Sequence, residues 1–124
     1  MNGNYENDIF AFVLMPFEKA YDDIYKLGIK ETAAQLDIVA ERIDEQIFQE
    51  GILDRIYRQI EVADIIIADM SGQNPNVFYE VGYAHAKGEL CILMTKDASD
   101  IPADLYYRSA LNRYLLYHFT TLSH

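Results

Sequence analysis

The side chains best suited to chemistry lie in one stretch, Asp69-Met-Ser-Gly-Gln-Asn74-Pro-Asn76-Val-Phe-Tyr-Glu80-Val-Gly82-Tyr-Ala. Asn74-Pro75 reads as a helix start, because asparagine is a favoured N-cap and proline fits the first helical position. A helix N-terminus carries partial positive charge and free N–H groups, so it favours anions. Glu80 lies under two turns into that helix and leans back toward its start, with Asn76 four residues earlier on the same face. Asp69 ends the apolar run before the loop. The spacing lets Glu80, Asn76 and Asp69 converge on one pocket. Phe78, Tyr79, Val81 and Tyr83 give Glu80 partly apolar surroundings. Gly82 costs the helix about 1 kcal/mol relative to alanine, which points to close approach by backbone or ligand. The plain alternatives stay open: a dipole-compensating surface glutamate, and an aspartate that caps a loop.

These groups need a frame. Ile9 to Met15 is a continuous apolar run ended by Pro16, the pattern of a strand buried on both faces. Glu18 to Ala34 is helical in composition, and Leu36 to Arg42 reads as a second, more polar strand. Ile47 to Ala63 carries Ile52, Leu53, Ile56, Tyr57 and Ile60 at amphipathic-helix spacing. Asp64 to Asp69 is the clearest strand. The helix from Asn74 runs to about Lys87 and stops at Gly88. Leu90 to Thr95 is another buried strand, Pro102 to Arg113 a last helix and Tyr114 to His118 a last strand. Alternating strands and helices imply a parallel sheet covered on both faces. The expected fold is a three-layer flavodoxin-like α/β sandwich, a single domain over residues 1–124, with five parallel strands in the order 2-1-3-4-5. Ligands bind such folds beyond the carboxyl ends of the strands, near strands 1 and 3. That rule selects Met15-Pro16-Phe17, Arg42 to Asp44, and Asp69 to Glu80.

Composition narrows the function. The chain has 124 residues, 51% of them hydrophobic, enough for one core and too few for two. A net charge of −10 repels phosphate backbones and argues against duplex DNA or RNA as a partner. A small ligand with one or two phosphates remains compatible, since a local pocket can differ from the global field. A single cysteine, Cys91, rules out an intrachain disulfide and reads as a small core hydrophobe. The polar, acidic N-terminus is unlike a signal peptide, and Ile9 to Phe17 is far short of the ~20 residues that span a bilayer. A cytoplasmic protein without a membrane partner is expected. His85, His118 and His124 are scattered, so no metal is expected.

The segment Ala63 to Gly88 resembles the signature of nucleoside 2-deoxyribosyltransferase-like and TIR-like domains. Phe12-Val-Leu-Met-Pro-Phe17 and Arg42-Ile-Asp44 agree with it, so the resemblance spans about Phe12 to Pro102. It implies chemistry at an N-glycosidic bond. In deoxyribosyltransferases a glutamate at the position of Glu80 attacks the anomeric carbon; in TIR-like enzymes a comparable glutamate engages the ribose of NAD. A carboxylate beside an oxocarbenium-like centre can capture or stabilise it. Deoxyribosyltransferases also carry an aspartate six residues earlier, near the departing base, where this chain has Asn74. Asparagine cannot deliver a proton, which weakens base exchange more than it weakens loss of an already cationic nicotinamide.

The resemblance adds two aspartates and an oligomeric state, and the residues themselves suggest the remaining roles. A substrate-contacting aspartate falls on Asp54 by ungapped spacing, and Asp69 matches an aspartate that would accept a ribose hydroxyl or cap the strand. Arg42 and Asp44 pair with each other or with a ligand phosphate. Met15, Pro16, Phe17, Asn74 and Asn76 would shape the pocket. No cofactor is implied, though NAD is a possible substrate. Deoxyribosyltransferases oligomerise, so a homo-oligomer is expected, and Tyr106, Tyr107, Tyr114 and Tyr117 form a candidate interface. The competing expectation is a nucleotide-binding or self-assembly module without turnover, or an effector domain of a bacterial or phage-defence system.

Overall fold

The computed structural model describes residues 8–100 and 114–118. Its centre is β1 (Ile9–Leu14), whose last four residues are buried because strands flank it on both sides. β2 (Ile38–Arg42) pairs parallel to one edge of β1 and β3 (Ile65–Asp69) parallel to the other. β4 (Cys91–Thr95) follows β3, so these strands run in the order 2-1-3-4, as expected. β5 (Tyr114–His118) lies parallel beside β4, from Cys91↔Tyr114 to Thr95↔His118. The expected helix at Pro102 to Arg113, with Tyr106 and Tyr107, lies outside the described residues, as do the side chains of Tyr114 and Tyr117.

Strand parity sorts the core into two layers. Phe12, Leu14, Ile66, Ala68 and Leu93 face one way, against Ile56 and Ile60 of α2 (Ile52–Val62) and Val77, Val81 and Ala84 of α3 (Pro75–Ala86). Ala11, Val13, Met15 and Ala40 face the other way, against Tyr25, Ile29 and Ala33. Those last three sit on the crossover between β1 and β2. It is helical but not uniform: a 3-10 turn at Lys19–Tyr21, a π-helical stretch at Ile24–Lys30 and an α-helical end, α1, at Glu31–Gln35.

Two expectations need correction. The second helix begins at Ile52, not Ile47, because Gly51 holds extended backbone (φ −60, ψ 151) as its N-cap. Ile47 is left 99% exposed in the preceding loop. The close approach of backbone considered at Gly82 is also absent among the described residues: Gly82 is exposed, and a Cβ there would have nothing within 4 Å. Gly88 does act as a stop, with φ +77 just past α3 and its N–H bonded to the His85 carbonyl at 3.0 Å. Cys91 is fully buried at the start of β4, and burial pushes its thiol up to about 12. Among the described residues no helix is long and apolar enough to cross a membrane.

Gly82→Ala should therefore stabilise the protein by about 0.5–1 kcal/mol, since helix propensity improves and nothing is displaced. Urea denaturation monitored by far-ultraviolet circular dichroism checks this; a lowered midpoint would mean that Gly82 is packed after all.

Candidate active site

Beyond the carboxyl end of β1 lies a cavity of about 380 Å³ with three walls, within the size range of small-molecule sites. The loop after β1 supplies Met15, Pro16, Phe17 and Glu18. The first turns of α2 supply Ile52, Leu53 and Ile56. The start of α3 supplies Asn74, Asn76, Val77 and Glu80. Apolar side chains make up most of this lining.

The start of α3 is fixed by its cap. The Asn74 carbonyl oxygen Oδ1 accepts the N–H groups of Asn76 (2.9 Å) and Val77 (3.2 Å), and Pro75 follows at the first helical position. The loop before it turns sharply through Gly72 (φ +77) and Gln73 (φ +56). Glycine is required at the first of these: a Cβ would also stand 3.2 Å from the Tyr21 hydroxyl. Ser71 anchors this loop from three sides. Its carbonyl accepts the Tyr21 hydroxyl (3.2 Å), its Oγ accepts the Lys96 N–H (2.9 Å), and its N–H donates to Asp69 Oδ1 (2.9 Å).

Glu80 lies between Val77 and Val81 on the buried flank of α3. It forms no hydrogen bond or ion pair with another described residue, and burial pushes its carboxyl up to about 7. Removing a carboxylate from water disfavours its charged form. The apolar surroundings come from α2 and the β1 loop rather than from the neighbours Tyr79 and Tyr83. Those tyrosines form an outer cluster with Tyr57, whose hydroxyl bonds Tyr79 at 2.9 Å.

Of the residues singled out from sequence, Met15, Pro16, Phe17, Asn74, Asn76 and Glu80 come together in the cavity. Arg42, Asp44, Asp54 and Asp69 do not line it. Asp54 is exposed on the first turn of α2, where it suits the helix dipole. Asp69 is fully buried, and parity with Ile65 and Ile67 turns it toward the opposite layer. Its Oδ1 accepts the Ser71 N–H, its Oδ2 has no hydrogen-bond partner among the described residues, and burial raises its pKa. Arg42 and Asp44 pair with each other, at 2.7 and 2.9 Å. The guanidinium also reaches Asp22 at 3.4 Å and lies 4.5 Å from the centre of the Tyr25 ring. Desolvation opposes its charge, yet the hydrogen bonds to Asp44 and Asp22 leave its pKa raised, and they hold Asp44 below the usual carboxylate range. Sequence reasoning missed Glu18, Ile52, Leu53 and Ile56. The α2 periodicity marks its isoleucines as core, and nothing in that pattern says that the first turn overhangs a cavity.

No protein-family model matches the sequence, and no curated protein does. Solved structures do match, and they define a fold: that of the nucleoside 2-deoxyribosyltransferases. A 2-deoxyribosyltransferase from Leishmania mexicana superposes with TM-score 0.61 at 21% identity over 72% of this chain, which spans 65% of that one. A 2-deoxyribosyltransferase from Bacillus psychrosaccharolyticus gives 0.63 at 14%, over 77% of this chain and 79% of its own. A CMP N-glycosidase from Clostridium botulinum gives 0.63 at 16%, over 92% and 89%.

The displaced titration of Glu80 has a measurable effect on stability. Its folded pKa of about 7 exceeds the 4.5 of the free group, so the folded state binds the proton more tightly. Its contribution is most favourable below about pH 4.5 and is lost as pH rises to about 7. Glu80→Gln should thus be more stable than the parent protein at pH 8, by about 1–3 kcal/mol, and nearly equal to it at pH 4. Denaturant unfolding at the two pH values tests this; a variant destabilised at pH 8 would mean that the carboxylate has a partner.

Proposed function

We propose that this protein belongs to the nucleoside 2-deoxyribosyltransferase-like superfamily and breaks an N-glycosidic bond in the cavity beside α3. Glu80 acts as nucleophile or as stabiliser of the oxocarbenium centre. The observation that carries the reading is a half-buried carboxyl group, without a hydrogen-bond or ion-pair partner among the described residues, lining a mostly apolar cavity at the β1/β3 switch point. The shared fold with two deoxyribosyltransferases and an N-glycosidase supports it. The reading takes the whole chain as one domain with the five-stranded sheet.

In this scheme the sugar sits against Glu80, and its anomeric carbon loses the base as the carboxylate approaches. The short-lived centre is stabilised electrostatically or captured as an ester, then passed to water or to a second base. Apolar walls exclude water and strengthen the interaction. Asn74 spends its Oδ1 on the helix cap, which leaves an amide N–H2 that can donate to a departing base but cannot protonate it. Easily expelled bases are therefore the better leaving groups. The chemistry requires no metal or cofactor.

The test is base release measured by HPLC from nucleosides, nucleotides and NAD, each supplied separately. Base release should fall at least about a thousandfold in Glu80→Gln. Because Glu80 must be ionised to attack, kcat/KM should rise with pH through about 7 and level off above it. Full activity in Glu80→Gln would remove Glu80 from the mechanism. No release from any substrate by folded protein would favour a binding or assembly module.

Asn74→Asp keeps a good N-cap and adds a proton donor. It should raise base exchange between deoxyinosine and adenine by about tenfold or more, within the span of general acid catalysis. An unchanged rate would show that residue 74 does not face the departing base.

A further inference from the structure

We propose that the Glu80 cavity takes an uncharged nucleoside and turns away the corresponding 5′-phosphate, with Glu18 as the residue that sets this preference. The proposal rests on the glycosidic reading above and deepens it, because a shared fold with both deoxyribosyltransferases and a CMP N-glycosidase leaves the phosphate open.

A small site holds a phosphate through helix N-terminal N–H groups, hydroxyls, or arginine and lysine. The first turn of α3 has none of these donors to spare. Pro75 has no N–H, those of Asn76 and Val77 go to Asn74 Oδ1, and that of Phe78 goes to the Asn74 carbonyl at 3.0 Å. Among the described residues that line the cavity there is no arginine, lysine, serine or threonine. Arg42, buried at the end of the neighbouring strand, is not among the lining residues: Asp44 and Asp22 hold its Nε and Nη2, its Nη1 has no hydrogen-bond partner among the described residues, and its guanidinium lies 5.6 Å from the centre of the Phe17 ring.

Two glutamates are among the lining residues instead. Glu80 stands on α3, and Glu18 stands in the loop that follows β1. A phosphate monoester brings a charge of about −1.5 to −2 at pH 7, and salt screens repulsion only weakly across a few ångströms. Met15, Ile52, Leu53 and Ile56 meanwhile give a neutral sugar and base an apolar surface to cover. The chain's net charge of −10 adds a long-range field of the same sign.

The experiment compares each nucleoside with its own 5′-monophosphate, using base release by the full chain and the ratio of the two kcat/KM values. The ratio should favour the nucleoside by at least about tenfold. It should shrink several-fold in Glu18→Gln, shrink further in Glu18→Lys, and narrow in 0.5 M sodium chloride. Equal or faster cleavage of the monophosphate by the parent protein would overturn the proposal and leave the glycosidic reading standing. So would a ratio unmoved in both Glu18 variants. If neither ligand is cleaved, the glycosidic reading fails, and equilibrium dialysis with radiolabelled nucleoside and monophosphate decides the charge preference separately. Tighter binding of the nucleoside supports it; equal or tighter binding of the monophosphate, or no binding of either, overturns it.

Discussion

β1 and β3 lie side by side, yet the chain leaves them toward opposite faces of the sheet. After β1 it turns to the layer of Tyr25, Ile29 and Ala33; after β3 it turns to the layer of Val77, Val81 and Ala84. Two adjacent strands whose continuations part in this way must leave a crevice between them. The cavity is that crevice, roofed by the Met15–Glu18 loop and walled by α2 and α3. Its position follows from strand order alone. Its character follows from which side chains the walls carry, and here they are mostly apolar.

An apolar wall beside an ionisable group works against stability. Glu80 has no partner among the described residues, so folding leaves it with a desolvation penalty. Stabilising contacts lie elsewhere, chiefly at the end of β2. There the Tyr25 hydroxyl donates to Glu45 and accepts the Arg42 N–H at 3.0 Å, Lys30 bonds Glu45 at 2.7 Å, and Arg42 stacks on the Tyr25 ring. This network joins the first crossover to β2 and meets the cavity wall only where Arg42 lies 5.6 Å from the centre of the Phe17 ring. The separation is physically sensible: a charged group held by strong partners is poorly suited to engage a ligand, whereas a lone one is available.

Much of this was legible in the sequence, and the limits have identifiable causes. Continuous apolar runs marked β1, β3 and β4 because each is flanked by strands on both sides. Asn74-Pro75 and Gly88 bounded α3 to within a residue, since cap chemistry is local. The pairing of Glu80 with Asn76 is a matter of helical spacing and carried through into the cavity. Asp69 shows where such reasoning stops. Its place at a strand end suggested the pocket, but β3 alternates, and parity sends residue 69 to the other layer with Ile65 and Ile67. The walls from α2 were hidden because a core-facing isoleucine and a cavity-facing one have the same period. The π-helical stretch at Ile24–Lys30 has no sequence mark in composition or spacing.

The burial of Cys91 has one more consequence. It is the chain's single cysteine, it has no exposed surface at the start of β4, and its thiol is held up at about 12. Only the thiolate reacts with alkylating or disulfide reagents, so in the closed fold this sulfur is shielded by both access and charge. It becomes reactive when the strands around it separate. The sheet therefore contains a native clock for its own opening: the rate at which the thiol is consumed counts excursions of the core, with no label or substitution introduced.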